Sequence, residues 1–215
     1  MGGDRRSHDG LPLSGRAMTI WQAYYDRSAG RARSPLLARA LQACSDHPLG
    51  KTALDLGCGA GNECRTLLDA GWHVHALDRE PAAIERVRTL AQTTEAGVLT
   101  AEVRAFEDVT HLPAAALVHA GLSLPFCAPE AFRRFWQIVA AAVEPRGLFA
   151  GHFFGPQDAW AGSPTMTFVS TAELHTLFAG WDMVSFQETE GMGPSMQGPK
   201  YWHRFDVIAR KPLQA

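Results

Sequence analysis

From Leu54 to Asn62 the chain reads LDLGCGAGN, with glycines at 57, 59 and 61 between an apolar run and an amphipathic one. Glycine takes positive φ without steric cost, so this cluster marks a tight turn joining a strand to a helix. The pattern then repeats as strict alternation. KTALDLG is a short buried strand, Asn62–Ala70 a helix closed by Gly71, and WHVHALD a second strand. Pro81–Gln92 reads as a helix, VLTAEVRAF and AALVHAGL as two more strands, Pro129–Val143 as a helix and GLFAGHFFG as a fifth strand. STAELHTLFAG is a helix with capping-box spacing between Ser170 and Glu173. WDMVSFQETE and YWHRFDVIARK follow with no helix between them, only a glycine- and proline-rich connection, so they form an antiparallel hairpin. The expected fold is α/β: a doubly wound, seven-stranded, mostly parallel sheet ending in an antiparallel hairpin.

Ahead of this series, residues 1–17 are polar, glycine-rich and without period, and are expected to be loosely attached. TIWQAYYDRS and the segment from Ser34-Pro35 to Cys44 read as two helices. The rest is expected to be one domain, 18–215, with residues 18–45 as a helical lid. With 215 residues there is length for one substantial core and no second domain. Twenty basic against 22 acidic residues give a net charge of −2, which provides no long-range attraction to nucleic acid. No apolar run approaches a membrane span and no charged-then-apolar leader opens the sequence, so a cytoplasmic protein with no membrane partner is expected. The four cysteines have neither zinc nor disulfide spacing, and no metal is expected. His73 and His75 alternate on one strand face, but no third ligand accompanies them.

A glycine turn at the end of the first strand lies where open α/β sheets bind ligands. Its details discriminate between cofactors. A triphosphate loop needs lysine and Ser/Thr after the turn, and Asn62-Glu63-Cys64 stands there instead. A dinucleotide turn spaces its glycines GxGxxG, whereas this one is GxGxG with Glu63 in the first helical turn, where it would repel a pyrophosphate. A cofactor with a positive centre and a single carboxylate meets no such penalty.

LDLGCGAGNE followed by ALDRE resembles the first two signature motifs of class I S-adenosylmethionine-dependent methyltransferases. The likeness spans roughly residues 36–211. SLPFC with GPKYWHRFDVIARK is similar to the small tellurite-resistance (TehB-like) type within that class. Those enzymes carry a His-Arg pair after the penultimate strand, and this chain has GMGPSM there. The resemblance implies S-adenosylmethionine as cofactor and S-adenosylhomocysteine as product.

It also implies site residues. Asp55 either bonds the methionine ammonium or caps the turn, and Gly57, Gly59 and Gly61 let the main chain approach the ligand. Asp78 either grips the ribose hydroxyls or caps the helix at Pro81, and Arg79 lies near the adenine. Phe106 with either Glu107 or Asp108 meets the adenine. Trp21 and Tyr25 either pack in the core or contact the cofactor from the lid. His119, at the end of the fourth strand, is a candidate for cofactor contact and for general base; His152 and His203 are further base candidates. Ser123, Phe126, Lys200 and Trp202 are candidates for the acceptor pocket, with Lys200 supplying charge for an anionic substrate.

With no appended RNA- or protein-holding domain, the expected partner is a small-molecule methyl acceptor: a thiol, oxyanion, carboxylate, phenol or amine. The expected state is monomer or homodimer. A nucleic-acid methyltransferase would want an acid/Asn-Pro-Pro-aromatic motif after the fourth strand, and Ser123-Leu124-Pro125-Phe126 lacks its polar acceptor. A protein methyltransferase and a cofactor-binding module without transfer activity are also compatible with these motifs.

Overall fold

The computed structural model describes residues 16–31, 34–45, 50–195 and 197–213. Two helices, α1 (Arg16–Ser28) and α2 (Pro35–Ser45), precede the alternating series. That series is β1 (Thr52–Leu56), α3 (Asn62–Asp69), β2 (His73–Asp78), α4 (Pro81–Ala91), β3 (Val98–Val103), β4 (Ala115–Ala120), α5 (Pro129–Ala142), β5 (Val143–Phe154), α6 (Thr171–Leu177), β6 (Asp182–Ser195) and β7 (Gly198–Arg210). The sheet order is β3-β2-β1-β4-β5-β7-β6, parallel from β3 to β5 and antiparallel at β5·β7 and β7·β6. The doubly wound sheet with a terminal hairpin is therefore the fold expected from the pattern.

Local chemistry sets the element ends. Proline occupies the first position of α4 and of α5, where its missing N–H is no loss. The expected capping box opens α6: Ser170 Oγ accepts from Glu173 N at 3.3 Å while Ser170 N donates to Glu173 Oε2 at 2.7 Å. The apolar faces then bury on both sides of the sheet. Leu37, Leu67 and Ile84 from α2, α3 and α4 join one cluster, and Phe135 and Leu174 from α5 and α6 join the other. Each such side chain contributes roughly 1.5–3 kcal/mol by leaving water.

Three expectations about extent change. First, α1 begins at Arg16, so residues 16 and 17 are helical; the expectation of loose attachment otherwise falls on residues 1–15, outside the described residues. Second, α2 is no lid, because its Leu36, Leu37 and Ala40 are buried in the core on one face of the sheet. Third, the glycine- and proline-rich connection is ladder rather than loop. Strands β6 and β7 stay paired as far as Ser195↔Gly198. Pro194 lies opposite Pro199, an arrangement a non-hydrogen-bonded pair tolerates because it needs neither N–H.

Candidate active site

Strand order reverses between β1 and β4, and a cavity of about 260 Å³ opens at that end of the sheet. The turn after β1 is tied to β2 by the N–H groups of Gly57 and Cys58, which both donate to the Leu77 carbonyl, at 2.7 and 3.1 Å. Gly57 and Gly59 line the cavity with φ of +76° and +49°. A Cβ on Gly57 would stand 2.3 Å from Ser123 Cβ, and one on Gly59 would meet the Tyr25 ring at 3.3 Å. This is a cradle that side chains would fill. Gly61 departs from the expectation. It does not line the cavity, and a Cβ there would strike Leu90 and Val87 of α4 at 2.7 and 2.8 Å. Its role is close packing of α3 on α4.

Asp78 is buried at the cavity wall. Its Oδ2 accepts from Gly59 N and its Oδ1 from Glu80 N, both at 2.9 Å. The carboxylate thus braces the turn and the start of α4, and each oxygen retains a further lone pair. Burial raises its pKa and the two N–H bonds oppose that, leaving it above the usual carboxylate range. Arg79 also lines the cavity and reaches Glu107 at 3.5 Å. Of the two acids after β3, Glu107 lines the cavity beside Phe106, whereas Asp108 is exposed and off it. Glu107 Oε1 also accepts from Ala128 N, at 2.9 Å, and Phe106 stacks on Phe135, so both are held by α5.

Asp55 and the three base candidates lie outside the cavity wall. Asp55 is sealed behind the turn, where Oδ1 bonds His119 Nδ1 at 2.9 Å and Oδ2 accepts from Cys64 Sγ at 3.0 Å. Its carboxylate joins β1 to side chains of β4 and α3 rather than to the backbone of the turn, and it does not line the cavity. His119 is 1% exposed, and its Nε2 has no hydrogen-bond partner. Gly121 separates that edge from the cavity; a Cβ there would come 2.8 Å from the imidazole Cε1. Burial alone would lower the His119 pKa, but the Asp55 hydrogen bond and the Asp55 and Glu63 charges more than offset it, and the net direction is upward.

His152 is buried and neutral: desolvation first, then the Arg204, His119 and Arg39 charges, pushes it well below the ordinary value. Its Nδ1 accepts from Leu122 N at 3.2 Å, holding a cavity-lining residue in a positive-φ conformation (+56°). His203 is buried in the hairpin, with Nδ1 accepting from Gln157 N at 3.1 Å. That places the ring proton on Nε2, which donates to Glu188 at 2.9 Å. Glu188, Glu190 and His203 bring their ligand atoms within 4.8 Å of one another, but a protonated Nε2 offers no lone pair to a metal. His75 pairs with Glu102 on β3. None of the three base candidates lines the cavity. Cys58, inside the turn, is no nucleophile either. The Cys64 hydrogen bond lowers its pKa, yet burial and the Asp78 and Asp55 charges leave it raised.

The other half of the cavity is aromatic. Trp21 and Tyr25 of α1 line it, with Trp21 edge-on to Phe126 at 5.0 Å. Tyr25 is buried, which with the nearby acids raises its phenol pKa. Asn62, at the start of α3, pins the end of α1: its Oδ1 accepts from Gly30 N at 2.9 Å and its Nδ2 donates to Ser28 O at 2.7 Å. Ser123 and Trp202 also line the cavity, but Ser123 Oγ is bound to the Leu56 carbonyl at 2.5 Å. Lys200 does not line it. Its ammonium is buried against Asp158 and over the rings of Trp160 and Trp202, 3.8 and 3.9 Å from their centroids. Its charge is spent inside the protein. Sequence reasoning missed Phe154 and Trp160, both cavity-lining; their one signal was position at or just past the carboxyl end of the fifth strand.

Residues 53–147 match the family described as methyltransferase domain. No curated protein matches the sequence. Among solved structures, TehB from Haemophilus influenzae superposes with a TM-score of 0.69 at 14% identity, covering 89% of this chain and 67% of that one. The N-methyltransferase NodS from Bradyrhizobium japonicum WM9, in complex with S-adenosylhomocysteine, has a TM-score of 0.58 at 14% identity, covering 87% and 98%. Magnesium protoporphyrin IX methyltransferase from Synechocystis PCC 6803 has a TM-score of 0.63 at 13% identity, covering 93% of each chain. Residues 53–147 thus match a methyltransferase domain, and the chain shares its fold with solved methyltransferases, one of them in complex with S-adenosylhomocysteine.

Proposed function

We propose that the cleft transfers a methyl group from S-adenosylmethionine to a small-molecule nucleophile by in-line displacement. What supports this most is the division of one cavity into a glycine-and-carboxylate half and an aromatic half. The cofactor supplies a methyl group already activated on a sulfonium, so the protein's work is alignment and exclusion of water. The bare backbone at Gly57 and Gly59 admits the amino-acid part of the cofactor. Asp78 offers its free lone pairs to the ribose hydroxyls, and Phe106 with Glu107 and Arg79 borders the adenine. Trp21 and Tyr25 close the site from above. Ser123-Leu124-Pro125-Phe126 after β4 lacks the acid or amide that would receive a flipped base's exocyclic amine, which disfavours a nucleic-acid substrate. No helix among the described residues is long and apolar enough to cross a membrane.

S-adenosylhomocysteine at a hundred times its dissociation constant should stabilise the fold by about 2.7 kcal/mol. That corresponds to a melting temperature higher by roughly 5–10 °C for a chain of this size; NADH should leave it unchanged. Thermal shift measures both, and the reverse pattern would overturn the reading. Asp78→Ala should weaken S-adenosylhomocysteine binding by about 1–3 kcal/mol, through hydroxyls left unpaired.

Because burial raises the Asp78 pKa and the hydroxyls need the ionised form, cofactor affinity should fall on acidification. The fall should begin above the ordinary aspartate value of 3.8. Calorimetric titration across pH checks the sign, and an affinity that stays flat or rises on acidification would remove Asp78 from the ribose site.

A further inference from the structure

We infer that the methyl acceptor is an aromatic thiol, its ring held among Trp21, Phe126, Phe154, Trp160 and Trp202 and its sulfur presented as thiolate. The inference rests on the methyl-transfer reading above and deepens it. Three observations carry it.

The first is shape and surface. The five rings form a continuous wall: Trp21 lies 5.0 Å from Phe126, Phe126 6.3 Å from Trp160, Trp160 5.9 Å from Trp202 and Trp202 5.4 Å from Phe154. They come from five separate parts of the chain, so the fold assembles this surface rather than one helix stripe supplying it. Aromatic pairs in offset or edge-to-face geometry add favourable energy beyond area burial, and a planar guest extends such a set.

The second is charge. Lys200 stands off the cavity and applies its ammonium to Phe154, Trp160 and Trp202, with centroids at 4.9, 3.8 and 3.9 Å. A ring whose π-cloud already faces a cation attracts a second cation less, which disfavours ammonium acceptors. Arg27, Arg31, Arg79 and Arg104 also line the cavity, which favours an acceptor carrying negative charge, as a thiolate does. The Lys200 ammonium is held by Asp158, Trp202 Nε1 donates to the Pro194 carbonyl and Ser195 Oγ to the Gly198 carbonyl.

The third is the missing base. Among the described residues lining the cavity there is no histidine, lysine or cysteine. The lining carboxylates, Asp78, Glu80 and Glu107, stand at or just past the ends of β2 and β3, at least three strands from Phe154 on β5, or ~14 Å at ~4.8 Å per strand. The acceptor must therefore bring a nucleophile that ionises unaided. Even the cysteine thiol has a pKa of ~8.5, and conjugation with a ring makes arene thiols more acidic and mostly thiolate at neutral pH. Phenols stay protonated there. The proton leaves to water before the reaction. The thiolate sulfur then uses a lone pair to form a bond to the donated methyl carbon. The carbon–sulfonium bond breaks with its electrons going to the donor sulfur, giving an aryl methyl thioether and S-adenosylhomocysteine with no further proton transfer.

The test uses the full chain, S-adenosylmethionine and benzenethiol, with thioether formation read by mass spectrometry. The comparison acceptors are 2-mercaptoethanol, phenol, benzylamine and tellurite. Benzenethiol should be methylated with a kcat/KM at least tenfold above each of the others. Across ring-substituted benzenethiols the inflection of the pH–rate profile should move with the thiol's own pKa. Trp160→Ala and Trp202→Ala should raise the benzenethiol KM at least tenfold while the S-adenosylhomocysteine dissociation constant stays within twofold. The Phe variants at the same positions should recover most of the loss. Absence of benzenethiol methylation, a better rate with any comparison acceptor, or an inflection that is the same for every thiol overturns the inference. Failure of the enzyme to bind S-adenosylhomocysteine at all would overturn the methyl-transfer reading instead.

Discussion

Gly57→Ala should abolish measurable S-adenosylhomocysteine binding and lower the melting temperature by roughly 5–15 °C. A β-carbon at φ +76° costs about 1–3 kcal/mol in backbone strain. The same atom would stand 2.3 Å from Ser123 Cβ, and overpacking of that kind adds about 1–3 kcal/mol. Ser123 cannot simply yield, because its hydroxyl is bound to the Leu56 carbonyl one residue before the turn. Gly59→Ala is the internal comparison. Its Cβ would meet only the edge of the Tyr25 ring, at 3.3 Å, so its loss of stability should be smaller. Calorimetric binding and thermal melts of the two variants check the ranking; equal losses would mean that strain, not the clash with Ser123, sets the cost.

The second large effect is expected where no ligand reaches. Asp55→Ala removes one partner of a buried pair and leaves His119 with neither nitrogen bonded. Stranding a buried charge in this way costs about 3–5 kcal/mol, or a melting temperature lower by roughly 6–20 °C. The double variant Asp55→Ala/His119→Leu should lose less than the sum of the single variants, since it removes the stranded group as well.

The pH dependence follows from the sign of the shift. His119 has a folded pKa raised above 6.5, so its contribution is fully present below pH 6.5 and is lost as pH rises through the folded value. The stability difference between wild type and His119→Leu should therefore narrow as urea melts are taken to higher pH. A widening difference would mean that the imidazole is neutral in the fold.

Much of this was legible because period and punctuation dictate it. The GxGxG turn, the prolines opening α4 and α5 and the Ser170/Glu173 box are local signals, and each element formed where its signal stood. Asp78 was legible too, since a carboxylate ending the strand beside such a turn has few other places to point. Depth was not legible. Asp55, His119 and Lys200 are polar side chains near the right strand ends, yet each bonds inward to a partner far away in sequence: 64 residues for the Asp55–His119 contact and 42 for Lys200–Asp158. No spacing rule reports such pairings. The hairpin misled for a different reason. Gly191, Gly193, Pro194 and Pro199 look like loop chemistry, but facing prolines in a ladder next to a sheet edge cost no hydrogen bond.

The portion shared with the methyltransferase domain family ends at residue 147. Of the five rings against which the acceptor is proposed to rest, only Phe126 falls inside it. Trp21 precedes that portion, and Phe154, Trp160 and Trp202 come after. The glycine-and-carboxylate half of the cavity thus lies within the matched portion, and most of its aromatic half lies outside it. On that reading, exchanging the stretch from Phe154 through the hairpin, which holds three of the five rings, should change the acceptor that is methylated while donor binding is kept.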